Sequence, residues 1–270
     1  MLIETLASTL TFTIIFAAGR KWELKIRHYL PWSVFIAMLV AGMTCWLSYR
    51  FPDFPSLVIA ASTLFVGLIV SIVAMLFFFF RDPNRISPHC NNWIMSPADG
   101  TVIYVKEIHS SRFPFAVKNG NEIPLKEFTT VDLIPDRGIH IGIAMNYLNV
   151  HVNRSPIAGT ISMLKPIPGL FASLKHIESL LENERVLMVF ENDNLKVGIV
   201  QIASRLVRRI VPFVKAGQVV QQGDRVGRIT FGSQVDLLVP YQENLKVCVK
   251  VGDEVSAGTS QIIEILKKTN

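Results

Sequence analysis

The feature that most limits this chain is the run from Ser56 to Phe80, which carries no charged side chain. Crossing a bilayer takes about 20 apolar residues, so the run predicts a membrane-spanning helix. It ends against Arg81-Asp82-Pro83, a flanking cation followed by a helix stop. A second uncharged run, Leu30 to Tyr49, has Trp32, Trp46 and Tyr49 near its ends, where interfacial aromatics are favoured. A third stretch, Leu2 to Gly19, carries Glu4 and several Thr and Ser residues; it could span, lie in the interface or be an uncleaved signal-like segment. Half of the 270 residues are hydrophobic and the mean hydropathy is +0.38, too apolar for one ordinary soluble domain. The excess sits before Arg81, so residues 1–80 are expected to form membrane-anchoring helices and residues 81–270 a domain outside the lipid.

Arg20, Lys21, Lys25 and Arg27 crowd the first inter-helix loop, whereas the second sets only Arg50 against Asp53. The positive-inside rule assigns the basic loop to the cytoplasm. Two further crossings return the chain to that side, so the domain after Arg81 is expected to be cytoplasmic, on the inner membrane. Cys45, Cys90 and Cys248 lie far apart with no C-x-x-C spacing, which suggests neither a zinc knuckle nor a disulfide framework, and no metal site is expected. The net charge of +6 suits work beside anionic lipid or nucleic acid, and charge alone does not choose between them.

After Arg81 the pattern changes to short β-rich runs broken by Gly and Pro, such as Gly100 to Lys106 and Gly159 to Leu164. This predicts a mainly β fold, a β-sandwich or barrel. Ser96-Pro97-Ala98-Asp99-Gly100-Thr101-Val102 and Ser155-Pro156-Ile157-Ala158-Gly159-Thr160-Ile161 read as two copies of one turn-plus-strand unit. Val214-x-x-Gly217-x-x-Val220-x-x-Gly223 recurs as Val249-x-x-Gly252-x-x-Val255-x-x-Gly258, with glycines where tight turns need positive φ. This second pair resembles the half-repeats of lipoyl and biotinyl carrier domains. A helix is predicted only near Phe171 to Asn183.

By itself Gly232-Ser233 is a small dipeptide inside a strand-like run from Val226 to Val239, and a bulge or bend is its ordinary meaning. Gly before a nucleophilic Ser would also leave the intervening carbonyl open to attack. His151 lies in Asn149-Val150-His151-Val152-Asn153, where alternation sends the three polar residues to one face. Its ordinary pKa makes it a natural proton carrier. Asp99 occupies a turn, where Asp is common for local hydrogen bonding. Arg154, Arg205, Arg208 and Arg209 are either solvated charges or paired donors for a phosphate and a carboxylate.

Taken in order, Phe80-Arg81-Asp82-Pro83-Asn84-Arg85, Ser96 to Gly100, Val150 to Pro156, Asn183-Glu184-Arg185, Val197 to Ala203, Arg208-Arg209-Ile210 and Phe231-Gly232-Ser233 resemble the phosphatidylserine decarboxylase proenzymes, short form. The resemblance spans Phe80 to about Gly258. It implies self-cleavage between Gly232 and Ser233 into a β chain (1–232) and an α chain (233–270) that stay together as a heterodimer, with room for a higher oligomer. It also implies that Ser233 becomes a covalent pyruvoyl group, whose carbonyl condenses with the amine of phosphatidylserine and draws electrons from the bond to the carboxylate. Ser233, His151 and Asp99 are then the catalytic candidates, and Arg154, Arg208 and Arg209 the candidate lipid-binding residues. The partners implied are phospholipid and membrane, not nucleic acid.

Two departures stand out. Longer family members carry Asp two residues before the matched His and a second His three residues after it, where this chain has Asn149 and Arg154. His151 would then serve both self-processing and decarboxylation, with Asp99 orienting or ionising it and His140 as the fallback proton carrier. Ser204-Arg205 replaces the small residues that follow Gln201-Ile202-Ala203 in the family. Two other classes stay open on the residues alone. One is a carrier module, which lacks the Asp-Lys-Ala or Met-Lys-Met tip. The other is a membrane-anchored scaffold in which Gly232-Ser233 is only a bend.

Overall fold

A computed structural model describes residues 2–22, 24–88, 91–109, 112–118, 121–124, 129, 131, 133–134, 136–169, 183–203, 209–230 and 233–267. The chain divides into two compact units, one of residues 1–80 with 146–148, the other of residues 81–145 with 149–270.

The first unit holds three helices, α1 (Leu2–Lys21), α2 (Ile26–Arg50) and α3 (Ser56–Phe80). Each is long and apolar enough to cross a membrane. The stretch left open in the sequence, Leu2 to Gly19, is thus helical, and α2 begins before Leu30 because Arg27 and His28 can occupy a helix end outside lipid. Lipid offers no hydrophobic drive between helices, so close packing of small residues and buried hydroxyl bonds must hold them. Gly19 lies under Tyr29, whose ring carbon would be 2.5 Å from a Cβ there, and Gly67 lies under Val40 at 2.7 Å. Thr44 and Thr63 share a buried 2.6 Å hydrogen bond between α2 and α3. Tyr147 completes this unit, its ring 5.4 Å from that of Trp22.

The second unit is built of antiparallel strands: β1 (Trp93–Met95), β2 (Gly100–His109), β3 (Arg112–Lys118), β4 (Asn121–Pro124), β5 (Arg137–Met145), β6 (Val152–Arg154), β7 (Gly159–Ile167), β8 (Arg185–Glu191), β9 (Lys196–Ala203), β10 (Arg209–Pro212), β11 (Val219–Val220), β12 (Arg225–Thr230), β13 (Ser233–Pro240), β14 (Leu245–Val247), β15 (Glu254–Val255) and β16 (Gln261–Ile265). Eight of them form one curled half-barrel sheet in the order β11-β7-β8-β9-β13-β5-β2-β15. Two three-stranded sheets, β1-β16-β14 and β10-β12-β6, and the β3-β4 hairpin complete the unit. Ile141, Ile143, Phe190, Ile199, Val235 and Leu237 pack the main core on one face of the large sheet. Leu133, Ile134, Leu187, Val200 and Leu238 pack a second core on the other. The fold is mainly β, as the sequence pattern predicts. The helix expected over Phe171 to Asn183 lies outside the described residues except at Asn183.

Both sequence repeats have a structural meaning. In one half the Gly217 N–H donates to the Ile161 carbonyl, and in the other the Gly252 N–H donates to Val102, each at 2.8 Å. Ser155 and Ser96 donate their hydroxyls to Ile157 and Ala98, at 2.6 and 2.7 Å. Bulges fall at Ile161/Met163 and at Val102/Tyr104. Gly217, Gly223, Gly252 and Gly258 take φ of 82°, 86°, 96° and 71°, where a Cβ would be strained. The halves join at their turns: Arg154 N–H donates to the Pro97 carbonyl and Met95 N–H to the Pro156 carbonyl, both at 2.9 Å. This brings the Asp99 turn beside Arg154. The run from Val226 to Val239, which reads as one strand, is divided between sheets. The chain leaves the β10-β12-β6 sheet at Thr230 and enters the middle of the large sheet at Ser233.

A chain beginning near Arg81 is expected to lose most of its membrane retention, with any residue of binding through basic side chains removed by high salt. Sedimentation with membranes before and after a salt wash measures this, and retention unchanged by both would refute the anchor.

Candidate active site

Asp99 sits in the turn that starts β2 and is almost closed to water. Its carboxylate accepts the Ala257 N–H at 2.8 Å and the Val150 N–H at 3.2 Å. Arg85 grips both oxygens, through Nη2 at 2.8 Å and through Nη1 on the other side. The same Nη1 donates to the Ala257 carbonyl at 3.0 Å. The guanidinium pKa is raised, first by that hydrogen bond to Asp99. Asp99 therefore does not bond His151; it holds the peptide one residue before it and reaches the ring only through its charge.

His151 is 1% exposed, and its Nδ1 lies 2.8 Å from the Asn149 carbonyl. That carbonyl can only accept, so Nδ1 carries the proton. Alternation of Asn149, His151 and Asn153 does not give a wet polar face here, because Val150 through Arg154 are all buried. Regular strand covers only Val152–Arg154, and the segment is packed on both sides. Burial is the largest influence on the imidazole and takes its pKa from 6.5 to about 4; the Asn149 bond and the Asp99 charge oppose this, and Arg81 adds to it. At neutral pH the ring is a neutral base.

Arg154, also buried, gives Nη1 to the Gly223 carbonyl at 2.9 Å. It gives Nη2 to the Pro83 carbonyl at 3.1 Å, beside Asp82 at 3.5 Å. Burial, then the charge of Arg225, lowers its pKa. Gly258 must lack a side chain here, since a Cβ would sit 2.8 Å from Arg154 Cδ. Asp82 also takes Arg225 Nε at 2.6 Å. The segment Asp82 to Arg85 is thus a strap fixed by three arginines. Sequence reasoning quoted Arg85 and Asp82 within a motif but gave neither a role in the site. Their partners lie 14 and 143 residues away, and no local pattern reports them.

Ser233 begins β13, its backbone paired with Met145 on β5 and Ala203 on β9. Gly232, Arg205 and Arg208 lie outside the described residues, and Arg209 is described only as backbone in β10, opposite Thr230. His140 belongs elsewhere: with Asp236 (2.8 Å), and through it Tyr104 (2.7 Å) and Gln234 (2.7 Å), it forms a buried network. On β13, Gln234 and Asp236 alternate with the core-facing Val235 and Leu237, so the network occupies the opposite face of the sheet.

The family model for phosphatidylserine decarboxylase matches residues 72–263. A Methanothermobacter thermautotrophicus protein, provisionally named an archaetidylserine decarboxylase proenzyme, is 38% identical over 197 residues, covering 72% of this chain and 82% of its own. The phosphatidylserine decarboxylase proenzyme of Novosphingobium aromaticivorans is 38% identical over 193 residues, covering 69% and 71%. That of Desulfotalea psychrophila is 34% identical over 219 residues, covering 80% and 92%. The chain belongs to the phosphatidylserine decarboxylase family, and so to the carboxy-lyases.

Two outcomes follow from the geometry. Arg85→Ala leaves a nearly buried carboxylate without its cation and is expected to cost about 3–5 kcal/mol, read as a lower melting temperature that Arg85→Lys partly restores. The second concerns pH. The unfolded chain takes up a proton on His151 near 6.5 and the folded chain only near 4. This group's contribution is therefore whole above about pH 6.5, falls between there and about 4, and is constant below. Between pH 7 and 5 the loss is about 2 kcal/mol. Melting of the detergent-solubilised chain at both pH values should show a drop that His151→Gln reduces; equal drops in both proteins would exclude it.

Proposed function

We propose that this chain is a self-processing phosphatidylserine decarboxylase, converting phosphatidylserine to phosphatidylethanolamine and carbon dioxide at a pyruvoyl group made from Ser233. The observation that carries the reading is the place of Ser233 in the sheet, considered with family membership. It opens a central strand, just where the chain changes sheets, and β13 is held on both sides from its first residue. A break before Ser233 would leave the strand anchored, so the two chains would stay together as a heterodimer.

The Ser233 hydroxyl attacks the Gly232 carbonyl and the acyl group moves from nitrogen to oxygen, freeing the Ser233 amine. β-Elimination releases the Gly232 carboxylate, and hydrolysis of the remaining enamine gives the ketone and ammonia. His151, buried and unprotonated at neutral pH, takes the hydroxyl proton in the first step and the α proton in the second, as a base weakened by burial and aided by the Asp99 charge. Asp99 acts by holding the Val150 peptide and by favouring the imidazolium that forms. The pyruvoyl carbonyl, once made, supplies an electron sink for an amine-bearing carboxylate, as pyridoxal phosphate does. His151, having taken the proton that the substrate amine sheds on condensing, would then give it to the carbon that has lost carbon dioxide.

The three apolar helices suit a lipid substrate, and their basic first loop favours the inner membrane with the β unit on the cytoplasmic side. Lipid binding by Arg208 and Arg209 belongs to this reading. Arg154, with both terminal nitrogens engaged within the protein, fits better as a clamp on the strap than as a phosphate ligand.

Mass spectrometry tests the proposal. The wild type should yield a fragment beginning at residue 233 with a blocked, carbonyl-bearing N-terminus, while Ser233→Ala should stay at the full 30.3 kDa and release no carbon dioxide from labelled lipid. His151→Ala should mature slowly and turn over about 10²–10⁴-fold less. The small fragment appearing in Ser233→Ala would reject the assignment.

A further inference from the structure

Buried amides seldom leave an oxygen without a donor, because an unmet polar group in the interior costs about 1–3 kcal/mol. Gln201, on β9, is fully buried, and its Oε1 has no hydrogen-bond partner among the described residues. The orientation of the amide is set by a chain of contacts. Asn153 turns its Nδ2 to Met145 Sδ at 4.0 Å, so its Oδ1 faces Gln201 and accepts from Nε2 at 2.7 Å. The oxygen of Gln201 is what remains. Gly227 leaves room for this group: a Cβ there would lie 3.0 Å from Nε2 and 3.3 Å from Oε1.

The location gives the oxygen a use. Ser233 pairs with Ala203, and Gln201 pairs with Val235, so Gln201 is the diagonal neighbour of Ser233 across β9 and β13. Such positions are about 7–8 Å apart, within reach of a long side chain. Asn153, which aims the amide, lies two residues beyond His151. A neutral acceptor in a dry site, beside the residue that becomes the electrophile, suits a donor that arrives with the substrate. Among the groups of a serine phospholipid, the amine carries N–H donors and positive charge, while the phosphate and carboxylate only accept.

We infer that Gln201 Oε1, aimed by Asn153, receives an N–H of the substrate's amino group and positions that nitrogen for the Ser233-derived carbonyl. The inference rests on the decarboxylase reading above and gives Gln201 a binding role distinct from self-cleavage.

The test uses Gln201→Met, which keeps side-chain length and removes the acceptor. Three quantities are measured on the full chain in detergent–lipid micelles: release of the fragment starting at residue 233, decarboxylation kinetics, and inhibition by two diacyl phospholipids. One inhibitor has a dimethylammonium head, which keeps one N–H donor but cannot condense with the carbonyl, the other a trimethylammonium head with none. Gln201→Met should mature at the wild-type rate and lose about 10–100-fold in kcat/KM, the range for a hydrogen bond to a charged group. The wild type should favour the dimethylammonium-headed inhibitor at least about tenfold, by the same bond, and the variant should lose that preference. An unchanged preference in a mature, folded variant overturns the inference. Failure of the variant to self-cleave also overturns it, because Gln201 would then serve the precursor. If Gln201→Met does not fold, Gln201→Glu keeps an acceptor and should keep the preference; its loss there refutes the role. Absence of cleavage in the wild type would instead strike at the decarboxylase reading.

Discussion

A carboxylate closed off from water is stable only if its oxygens are met by donors, and Asp99 is met by four, two from Arg85 and one each from the Ala257 and Val150 peptides. Those donors come from separate parts of the chain. Arg85 belongs to the strap that follows the last helix, Val150 to the approach to His151, and Ala257 to the second glycine repeat. The charge therefore fixes three backbones at one point, the strap and the approach to His151 among them. Because Ala257 follows the proposed cleavage point, its N–H bond to Asp99 and the Arg85 bond to its carbonyl would tie the small fragment to the large one.

The strap adds a second constraint. Asp82 lies between Arg154 and Arg225, and Arg154 also closes onto the Pro83 and Gly223 carbonyls. Three cations within one small region would repel, and the two carboxylates, Asp82 and Asp99, offset that repulsion at short range. The electrostatic consequence for His151 is modest beside burial: its ring is kept neutral mainly because the site is dry, which leaves it able to accept a proton but weakens it as a base.

What the sequence made legible follows from periodicity. The uncharged run Ser56 to Phe80 coincides with α3, because length and apolarity alone decide that element. Gly217, Gly223, Gly252 and Gly258 were legible as a spacing, and each takes positive φ, because the turn demands a residue without Cβ. The environment of His151 was not legible. A polar row in alternation reads as one wet face, and this segment is enclosed on both. Nor was the change of sheet at Ser233, since Val226 to Val239 is apolar enough to continue as one strand and only pairing partners divide it. Arg85 and Gln201 stood inside quoted motifs without roles, because burial and distant partners give them meaning. Motif resemblance reached Ser233, His151 and Asp99; pairing and burial brought in Arg85, Asp82 and Gln201.

The internal repeat sharpens the distinction between scaffold and chemistry. Serines 96 and 155, prolines 97 and 156 and glycines 100 and 159 do the same work in each half, and their hydrogen bonds match within about a tenth of an ångström. The halves differ where charge enters. Asp99 stands opposite Ala158, Arg154 opposite Met95, and Ala257, whose N–H meets Asp99, opposite Gln222, whose amide caps the Trp93 carbonyl instead. A symmetric scaffold would place two carboxylates and two guanidiniums around one axis, and each would need its own partners in a dry interior. Keeping one of each, on opposite halves, gives a single polar point with a direction. That direction leads from the strap through Asp99 to the Val150 peptide and His151.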